Sequence, residues 1–316
     1  MAHASLWCQV FLANWINLPT LNPNPNPNPL STNCLKISSL HTIGIIGGRG
    51  RTGGQFANLF RKAGFSVETT GSKNKFDNRK LIKNCDIVIF ALPLDRAAEI
   101  IRMEASRARR KDQLLLDLSS LKIRETQAML RSKGEVIGMH PLFGPTTDAR
   151  RELVILCPVR AKRETVESLR SILRKMGLQT ALMTPGAHDE LMAIVQVIPH
   201  LKSFLMAEVL RGLKVKFQHV LRNCTPTYEL EFNVIGRFLD DNPSLYMPII
   251  FRNPLTPRIL RAMRKNIDAY LSIARKKRLP SAMRRYKKAK EFFAPFTGRA
   301  REHSEACIRT LTSLTR

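Results

Sequence analysis

Residues 42–62 read TIGIIGGRGRTGGQFANLFRK, and this stretch predicts the fold of the first half of the chain. Its start has the apolar composition of a buried strand, and residues 55–62 have the spacing of an amphipathic helix. Between them, Gly48, Gly50 and Gly53 form a G-x-G-x-x-G pattern. Glycine at the first position permits a tight turn, at the second a close approach to a pyrophosphate, and at the third close packing of helix on strand. The pattern therefore predicts a dinucleotide site, with the phosphates at the helix N-terminus.

The alternation of strand and helix continues through the first half of the chain. Five further apolar runs are interpreted as strands separated by helical stretches, at residues 65–69, 86–92, 113–118, 135–139 and 153–157. Beyond residue 185 the pattern is helical only, with breaks expected near Pro243, Pro254, Pro280 and Pro295. We expect an α/β fold, in which a Rossmann-type doubly wound parallel sheet (residues 42–183) precedes an all-helical domain (residues 184–316).

The first 41 residues differ in composition from the rest. They contain NPNPNPNP (residues 22–29), carry no Asp or Glu, and show no helix or strand period, so we interpret them as a disordered extension or leader. Transit peptides are usually Arg-rich, whereas this segment has only Lys36 as a Lys or Arg residue. We expect a cytoplasmic protein; an organelle location, if the segment is a transit peptide, and a wrongly assigned start codon stay open.

Composition excludes several classes of protein. A chain of 316 residues with 44% hydrophobic content is too apolar for disorder and long enough for two domains. Its six cysteines are scattered without a C-x-x-C pair, which indicates neither a disulfide framework nor a metal site. Lys, Arg or Asp interrupts each apolar run before it reaches the roughly 20 residues that cross a bilayer, so no membrane span is predicted.

The net charge is strongly positive, formally +27, and basic residues are concentrated beyond residue 252 in runs such as RKKR (275–278) and RRYKKAK (284–290). Such a surface attracts polyanions. The basic residues alternate with apolar ones at helical spacing, and no known nucleic-acid-binding motif is present. We therefore interpret these runs as solvated faces of basic helices, and do not expect nucleic acid as the partner.

Cofactor preference depends on the end of the second strand, where NAD enzymes usually place Asp or Glu for the ribose hydroxyls. Here that position is Gly71, followed by Ser72 and Lys73. A hydroxyl and a cation without a carboxylate suit a 2′-phosphate, which favours NADP and leaves NAD open. The predicted cofactor-binding residues are Gly48, Arg49, Gly50, Arg51, Thr52, Gly53, Ser72, Lys73, Leu92 and Pro93.

Two polar segments follow predicted strands at the edge of the sheet where ligands bind in this fold. GMHPLFGP (residues 138–145) places His140 at the end of the fifth strand, and DLSSLK (residues 117–122) places Ser119 and Ser120 after the fourth. A histidine at a strand end, followed by an aromatic residue and a glycine turn, is a candidate for chemistry. Either serine has an alternative role as the cap of the next helix.

In their order along the chain, IIGGRGRTGG, DLSSLK, MHPLFGP, HDELMAIVQVIPH (188–200) and TPTYELEFNVIGR (225–237) resemble the motifs of prephenate dehydrogenases. The resemblance extends over about residues 42–314. It is greatest to the dehydrogenase half of the enteric bifunctional enzyme, without its chorismate mutase part, so we expect a monofunctional protein. It implies oxidative decarboxylation of prephenate to 4-hydroxyphenylpyruvate in tyrosine biosynthesis, with hydride transfer to NAD(P).

The resemblance also implies roles for individual residues. The family's catalytic histidine, partner and base for the ring hydroxyl, matches His140, and its nearby serine matches Ser120. The arginine that binds the substrate carboxylate matches Arg237. Positions on a helix that lines the family's active-site cleft match His188, Gln196 and His200, for which a packing or dimer role is an equal alternative. The helical domain is expected to form a homodimer, because alone it is too extended to close a core.

One departure from the family concerns the substrate. Glu229 stands where the enteric proteins have arginine, and an acidic residue there would favour an amine-bearing substrate such as arogenate or 4-amino-4-deoxyprephenate. Three readings from other classes stay open: another Rossmann oxidoreductase with a helical second domain, such as a hydroxy-acid or imine reductase; a catalytically inactive relative that senses NADP or tyrosine; and a nucleic-acid-binding protein. The first explains the glycines but neither HPLFGP nor IGR.

Overall fold

The structure is a computed structural model, and it describes residues 41–71, 75–144 and 148–314. The predictions for the leader before residue 41 and for Ser72 and Lys73 therefore lie outside the described residues. The chain divides into two compact units, one ending at Met192 and the other beginning at Ala193. The sequence places this boundary earlier, at residues 183–184.

The first unit contains one seven-stranded sheet with strand order β2-β1-β3-β4-β5-β6-β7. The strands are β1 (Thr42–Ile46), β2 (Ser66–Thr70), β3 (Ile87–Phe90), β4 (Leu114–Asp117), β5 (Glu135–Pro141), β6 (Leu153–Arg160) and β7 (Gln179–Leu182). The helices are α1 (Arg51–Lys62), α2 (Lys75–Asn84), α3 (Ala97–Ala105), α4 (Ile123–Met129), α5 (Arg163–Lys175) and α6 (Pro185–Met192). The predicted Rossmann-type class is confirmed.

Two details of the sheet correct the sequence prediction. β6 is antiparallel to β5, whereas β2, β1, β3, β4 and β5 are parallel to one another. A parallel connection needs a crossover of about a dozen residues or more, usually a helix, and residues 142–152 are too few for that crossover. The seventh strand, parallel to β6, was not predicted because QTAL is short and half polar.

The core lies on both faces of the sheet. β3 and β4 are buried along their whole length, as expected for central strands of a parallel sheet. On one face Phe56 and Phe60 of α1 pack against the sheet, and on the other Leu81 and Ile101 do. The carboxyl ends of the parallel strands lie at one edge of this packed sheet. The strand order reverses there between β1 and β3.

The second unit is α-helical, except that its first segment, Ala193–Val197, is a π-helix. Its helices are α7 (Ile198–Gly212), α8 (Phe217–Arg222), α9 (Pro226–Asp240), α10 (Pro243–Arg252), α11 (Thr256–Arg275) and α12 (Leu279–Leu314). Breaks occur near Pro243, Pro254 and Pro280 as predicted, but Pro295 lies inside α12 and does not end it. A proline removes one helical hydrogen bond, and the turns on either side of this one maintain the helix.

Apolar side chains of the second unit are divided between a small core and the surface. Val197, Leu201, Phe238 and Ile250 form the core, whereas Leu205, Met206, Val209 and Leu213 of the α7 region are exposed. Contrary to the sequence prediction, the helical stretch Pro185–Gly212 is long and apolar enough to cross a membrane by length and composition. Helices with a face covered by a partner chain have the same composition, so this test alone is weak evidence for a membrane.

Candidate active site

The glycine-rich loop between β1 and α1 has the tight geometry that the motif predicts. Gly47 has φ +83°, and a Cβ there would lie 2.1 Å from the carbonyl oxygen of Ala91. A Cβ on Gly53 would lie 2.5 Å from the oxygen of Gly47, so the predicted close packing of helix on strand is present. The left-handed turn is thus at Gly47, one residue before the predicted Gly48. A Cβ on Gly48 would instead lie 2.7 Å from Thr69 Cγ2.

The N-terminus of α1 is suited to an anion. Its N-cap, Gly50, makes no side-chain cap hydrogen bond, and the first turn contains no acidic residue. Basic Arg61 and Lys62 in the last turn match the helix dipole, which is positive at the opposite end. A Cβ on Gly50 would meet only one atom, the oxygen of Gly47 at 3.2 Å, so the loop is open above this residue. A pyrophosphate fits this cradle.

The other predicted cofactor residues surround the same edge of the sheet. Arg49 and Arg51 are exposed on the loop, and Thr52 is half-buried in the first turn of α1. Leu92 and Pro93 follow β3, the neighbour of β1. β1 and β3 flank the point at which the strand order reverses, where open α/β sheets bind ligands.

At the end of β5, two histidines and a carboxylate form a continuous hydrogen-bonded chain. His140 Nδ1 lies 2.9 Å from His188 Nε2, and His188 Nδ1 lies 2.8 Å from Asp189 Oδ1. His140 is 3% exposed and His188 is 0% exposed. Both rings are thus buried, and His140 is the end of this hydrogen-bonded chain, with its Nδ1 facing His188 and its Nε2 on the other side of the ring.

The carboxylate of Asp189 is fixed by the backbone of α4. Asp189 Oδ1 accepts from the amide of Lys122 at 2.8 Å, and Oδ2 accepts from the amide of Ile123 at 3.1 Å. This carboxylate satisfies two amides that begin a helix without a side-chain cap of its own. The alternative prediction, that Ser119 or Ser120 caps this helix, is therefore wrong.

A buried lysine connects this hydrogen-bonded group to β4 and β5. Lys122 is 0% exposed, and its Nζ donates to Asp117 Oδ2 and, at 3.0 Å, to the carbonyl oxygen of Met139. Gly138 makes room for this lysine, because a Cβ there would lie 2.8 Å from Lys122 Cδ. The oxygen of Met139 belongs to the residue before His140, so the lysine holds the strand end that carries the catalytic candidate.

The hydrogen bonds determine which nitrogen of each ring carries a proton. A carboxylate only accepts, so His188 donates its Nδ1 proton to Asp189, and its Nε2 is an acceptor. His140 then donates from Nδ1, and the lone pair of its Nε2 stays available. Burial lowers the pKa of His140 well below 6.5, helped by His188 and the charge of Lys122, and burial with Lys122 does the same for the pKa of His188. His140 is thus a neutral base.

Polar atoms without a partner lie close by. Among the described residues, Asp117 Oδ1, Ser119 Oγ and Glu125 Oε2 are buried and make no hydrogen bond. Burial, and secondarily the charge of Asp117, raises the pKa of Glu125 to about 7. Ser120, the predicted site serine, is half-buried at the turn between β4 and α4. The connection from β4 to α4 therefore contains buried polar groups.

The remaining predicted site residues lie in the second unit. The side chain of Gln196 is in the π-helical segment, and its buried Oε1 has no partner among the described residues. His200 stacks on Phe238 at 5.6 Å between ring centroids and contacts Tyr246 at 4.7 Å, which supports the packing alternative. Arg237 is exposed on α9. π-helical turns are frequent at functional sites, so Gln196 stays a candidate substrate-binding residue.

Comparison with known proteins identifies the family. The model of the prephenate dehydrogenase nucleotide-binding domain matches residues 57–182, and that of the prephenate dehydrogenase dimerization domain matches residues 184–288. The chain belongs to the prephenate dehydrogenase family. The predicted resemblance is confirmed, and the matched models are those of a nucleotide-binding domain and a dimerization domain.

Named relatives agree with this assignment. A probable arogenate/prephenate dehydrogenase of Methanocaldococcus jannaschii is 30% identical over 292 residues, 86% of this chain and 65% of that protein. A T-protein of Enterobacter agglomerans is 28% identical over 213 residues, 67% of this chain and 56% of that protein. The chain therefore spans less than two thirds of the length of these two relatives.

Solved structures share the fold. The Aquifex aeolicus prephenate dehydrogenase, in complex with hydroxyphenyl propionate and NAD+, has a TM-score of 0.67 at 18% identity, covering 82% of this chain and 99% of that one. Synechocystis arogenate dehydrogenase has a TM-score of 0.61 at 18% identity, covering 81% and 100%. The two structures show the shared fold, and their names differ in the substrate.

The sequence indicated His140 and His188 but not the residues that hold them. Asp189 and Lys122 are buried charges within segments that the family motifs already contain, DLSSLK and HDELMAIVQVIPH. Charged residues are almost never fully buried unless paired, so their burial is the signal, and burial is visible only in the fold. Among the described residues, no group of His, Cys, Asp and Glu is arranged to hold a metal.

Proposed function

We propose that this protein oxidises and decarboxylates prephenate, or a close cyclohexadiene analogue, with NADP as the preferred hydride acceptor. The product from prephenate is 4-hydroxyphenylpyruvate. The observation that carries this proposal is the hydrogen-bonded chain from Asp189 through His188 to His140, which ends in a neutral imidazole at the carboxyl edge of the sheet. A base positioned there suits a reaction that begins at a ring hydroxyl.

The substrate of this reaction is a cyclohexadiene with a hydroxyl and, across the ring, a carboxylate. When bound at the glycine-rich loop, a nicotinamide cofactor would supply the acceptor for the hydride that leaves the carbon bearing the hydroxyl. The bond to the departing carbon dioxide supplies the electron pair that makes the ring aromatic, and the proton is on the phenolic oxygen of the product. Aromatisation provides the driving force.

In this reaction His140 Nε2 accepts the hydrogen bond of the hydroxyl as positive charge develops on its oxygen. Asp189 and His188 keep the proton of His140 on Nδ1, so that Nε2 faces the hydroxyl as an acceptor. They also stabilise the partial imidazolium that forms, as the buried carboxylate of a Ser-His-Asp triad does. Ser120 is proposed as a second partner of the hydroxyl.

Arg237 is proposed to bind a substrate carboxylate through its planar guanidinium, a two-pronged contact that lysine does not reproduce. Gln196 is a further candidate, because a buried amide oxygen without a protein partner is available to a ligand. Glu229, half-buried in the first turn of α9, keeps arogenate and the 4-amino analogue as alternative substrates.

The protein is further proposed to act as a homodimer through its second unit. The matched dimerization domain and the exposed apolar residues Leu205, Met206 and Val209 of α7 support this assembly. A cytoplasmic location, and no role for nucleic acid or membrane, remain predictions of the sequence.

The test is an absorbance assay at 340 nm with the purified chain, crossing prephenate and arogenate against NAD and NADP. Faster reduction of NADP than NAD with prephenate supports the full proposal. Activity with arogenate alone would move the substrate to the amine and make Glu229→Arg the next variant. A folded protein that binds dinucleotide and reduces it with neither substrate would contradict the proposal.

A further inference from the structure

The side chain of Arg49 lies across the end of β2. A Cβ built on Gly71, the residue after this strand, would lie 3.0 Å from Arg49 Cδ and 3.5 Å from both its Cβ and Cγ. The aliphatic stem of the arginine therefore occupies the space that a side chain at position 71 would take. Arg49 is itself exposed, and no hydrogen bond or ion pair involves its guanidinium within the described part of the chain.

This contact lies at the position that decides between NAD and NADP in dinucleotide-binding folds. There an acidic residue at the end of the second strand bonds the ribose hydroxyls, or an arginine accommodates the 2′-phosphate. β2 pairs in parallel with β1, so its end lies beside the glycine-rich loop that follows β1. A side chain at position 71 would therefore require the stem of Arg49 to shift by a few tenths of an ångström, whereas glycine leaves it in place.

Within the described part of the chain, the other side chains near the end of β2 do not compete for this role; the predicted Ser72 and Lys73 lie outside it. Glu68 faces the opposite side of the sheet, where its charge raises the pKa of Cys85. The hydroxyl of Thr70 donates to Asn78 Oδ1 at 2.6 Å, and Arg61 donates to the carbonyl oxygen of Val67 at 3.1 Å. On the side of the loop, Thr69 packs against Gly48. Among the described side chains, Arg49 is thus a cation without a protein partner, and Gly71 itself supplies no carboxylate at the strand end.

We propose that Arg49, resting on Gly71, is the residue that recognises the 2′-phosphate of NADP. A guanidinium binds a phosphate through two parallel charge-assisted hydrogen bonds. Gly71 has a double role, because it leaves room for the arginine stem and removes the carboxylate that would repel the phosphate. This inference rests on the proposed function in taking a nicotinamide dinucleotide, and NADP in particular, as the ligand; it does not depend on the proposed substrate or reaction.

The test is isothermal titration calorimetry of the full chain, without substrate, against NADP, NAD, 2′,5′-ADP and 5′-AMP. Arg49→Met keeps an unbranched stem on Gly71 and removes the charge. Arg102→Met, at an exposed position of α3 away from the loop, is the matched control. Arg49→Met is expected to weaken NADP and 2′,5′-ADP at least about tenfold, as for loss of a hydrogen bond to a charged group, and to leave NAD and 5′-AMP within about twofold.

Gly71→Asp gives the converse result if the account is right, namely loss of NADP affinity with NAD affinity kept or improved. Equal loss of NADP and NAD in Arg49→Met would overturn the inference and make Arg49 a general loop or pyrophosphate residue. A wild-type protein without preference for NADP would overturn it too. Because these titrations need no turnover, a protein that passes them but reduces no dinucleotide contradicts the proposed reaction and leaves the role of Arg49 intact.

Discussion

Replacement of His188 by leucine is expected to lower turnover without weakening substrate binding. His188 is 0% exposed, so it has no surface for a substrate, and it contacts His140 through the 2.9 Å hydrogen bond and an edge-to-face ring contact. Leucine leaves His140 Nδ1 without its acceptor in a buried site, which costs about 1–3 kcal/mol. The proton of His140 is then free to move to Nε2, which removes the base. At about 1.4 kcal/mol per factor of ten, kcat should fall about 5- to 150-fold.

The assay is reduction of dinucleotide at 340 nm with the better substrate, with kcat and KM determined separately. His188→Gln is the informative partner variant, because the amide oxygen of glutamine can take the place of Nε2 and accept from His140. We expect it to recover most of the lost turnover. His303→Leu, on the exposed surface of α12, is the control for histidine removal as such. If His188→Leu folds with a native circular dichroism spectrum and keeps full kcat, then His188 and Asp189 do not position His140 for the reaction.

Four other outcomes follow from the described contacts. Because the pKa of His140 is well below 6.5, its base function should persist as pH falls from 8 to 6, with no loss of kcat in a pH profile over that window. Arg237→Lys should mainly raise KM, and a change confined to kcat would refute carboxylate binding. The pKa of Glu125 is raised from 4.5 to about 7, so the free energy of unfolding falls as pH rises through that window and the carboxyl loses its proton. In urea titrations at pH 8, Glu125→Gln should therefore have a free energy of unfolding higher than wild type by on the order of 3 kcal/mol. At pH 4.5 the two proteins should not differ in this way. Light scattering after size exclusion should give twice the chain mass, and a strict monomer at micromolar concentration would contradict the dimer.

The sheet was predictable from the sequence as far as local pattern determines it. β1, β3 and β4 are continuous apolar runs buried on both faces, and this pattern is specific to central parallel strands. β6 is antiparallel because the connection from β5 is too short to contain a crossover helix. The sequence prediction of a wholly parallel sheet did not take the length of this connection into account. QTAL in β7 has no apolar pattern of its own and becomes a strand because β6 offers it an edge. Pro295 fails as a helix breaker because propensity is weaker than the surrounding helical turns.

The sequence indicated individual residues of the candidate site but not the contacts between them. His140 follows a strand and precedes a glycine turn, so local sequence and family resemblance both indicate it. Its partner His188 is 48 residues away along the chain, and Asp189 bonds an amide 67 residues away, so neither contact has a local signature. The contact of Arg49 with Gly71 likewise joins a loop to the next strand. Side-chain packing between separate elements determines these features.

The most direct test of the account is the turnover of His140→Asn. Asparagine keeps a polar group near Nδ1 and removes Nε2, so the site should fold and bind but lack its base. We expect kcat to fall about 10²- to 10⁴-fold, the usual contribution of a positioned general base, with the Kd for NADP and for substrate nearly unchanged by calorimetry. A His140→Asn protein that reduces dinucleotide at close to the wild-type rate would contradict the assignment of His140 as the base.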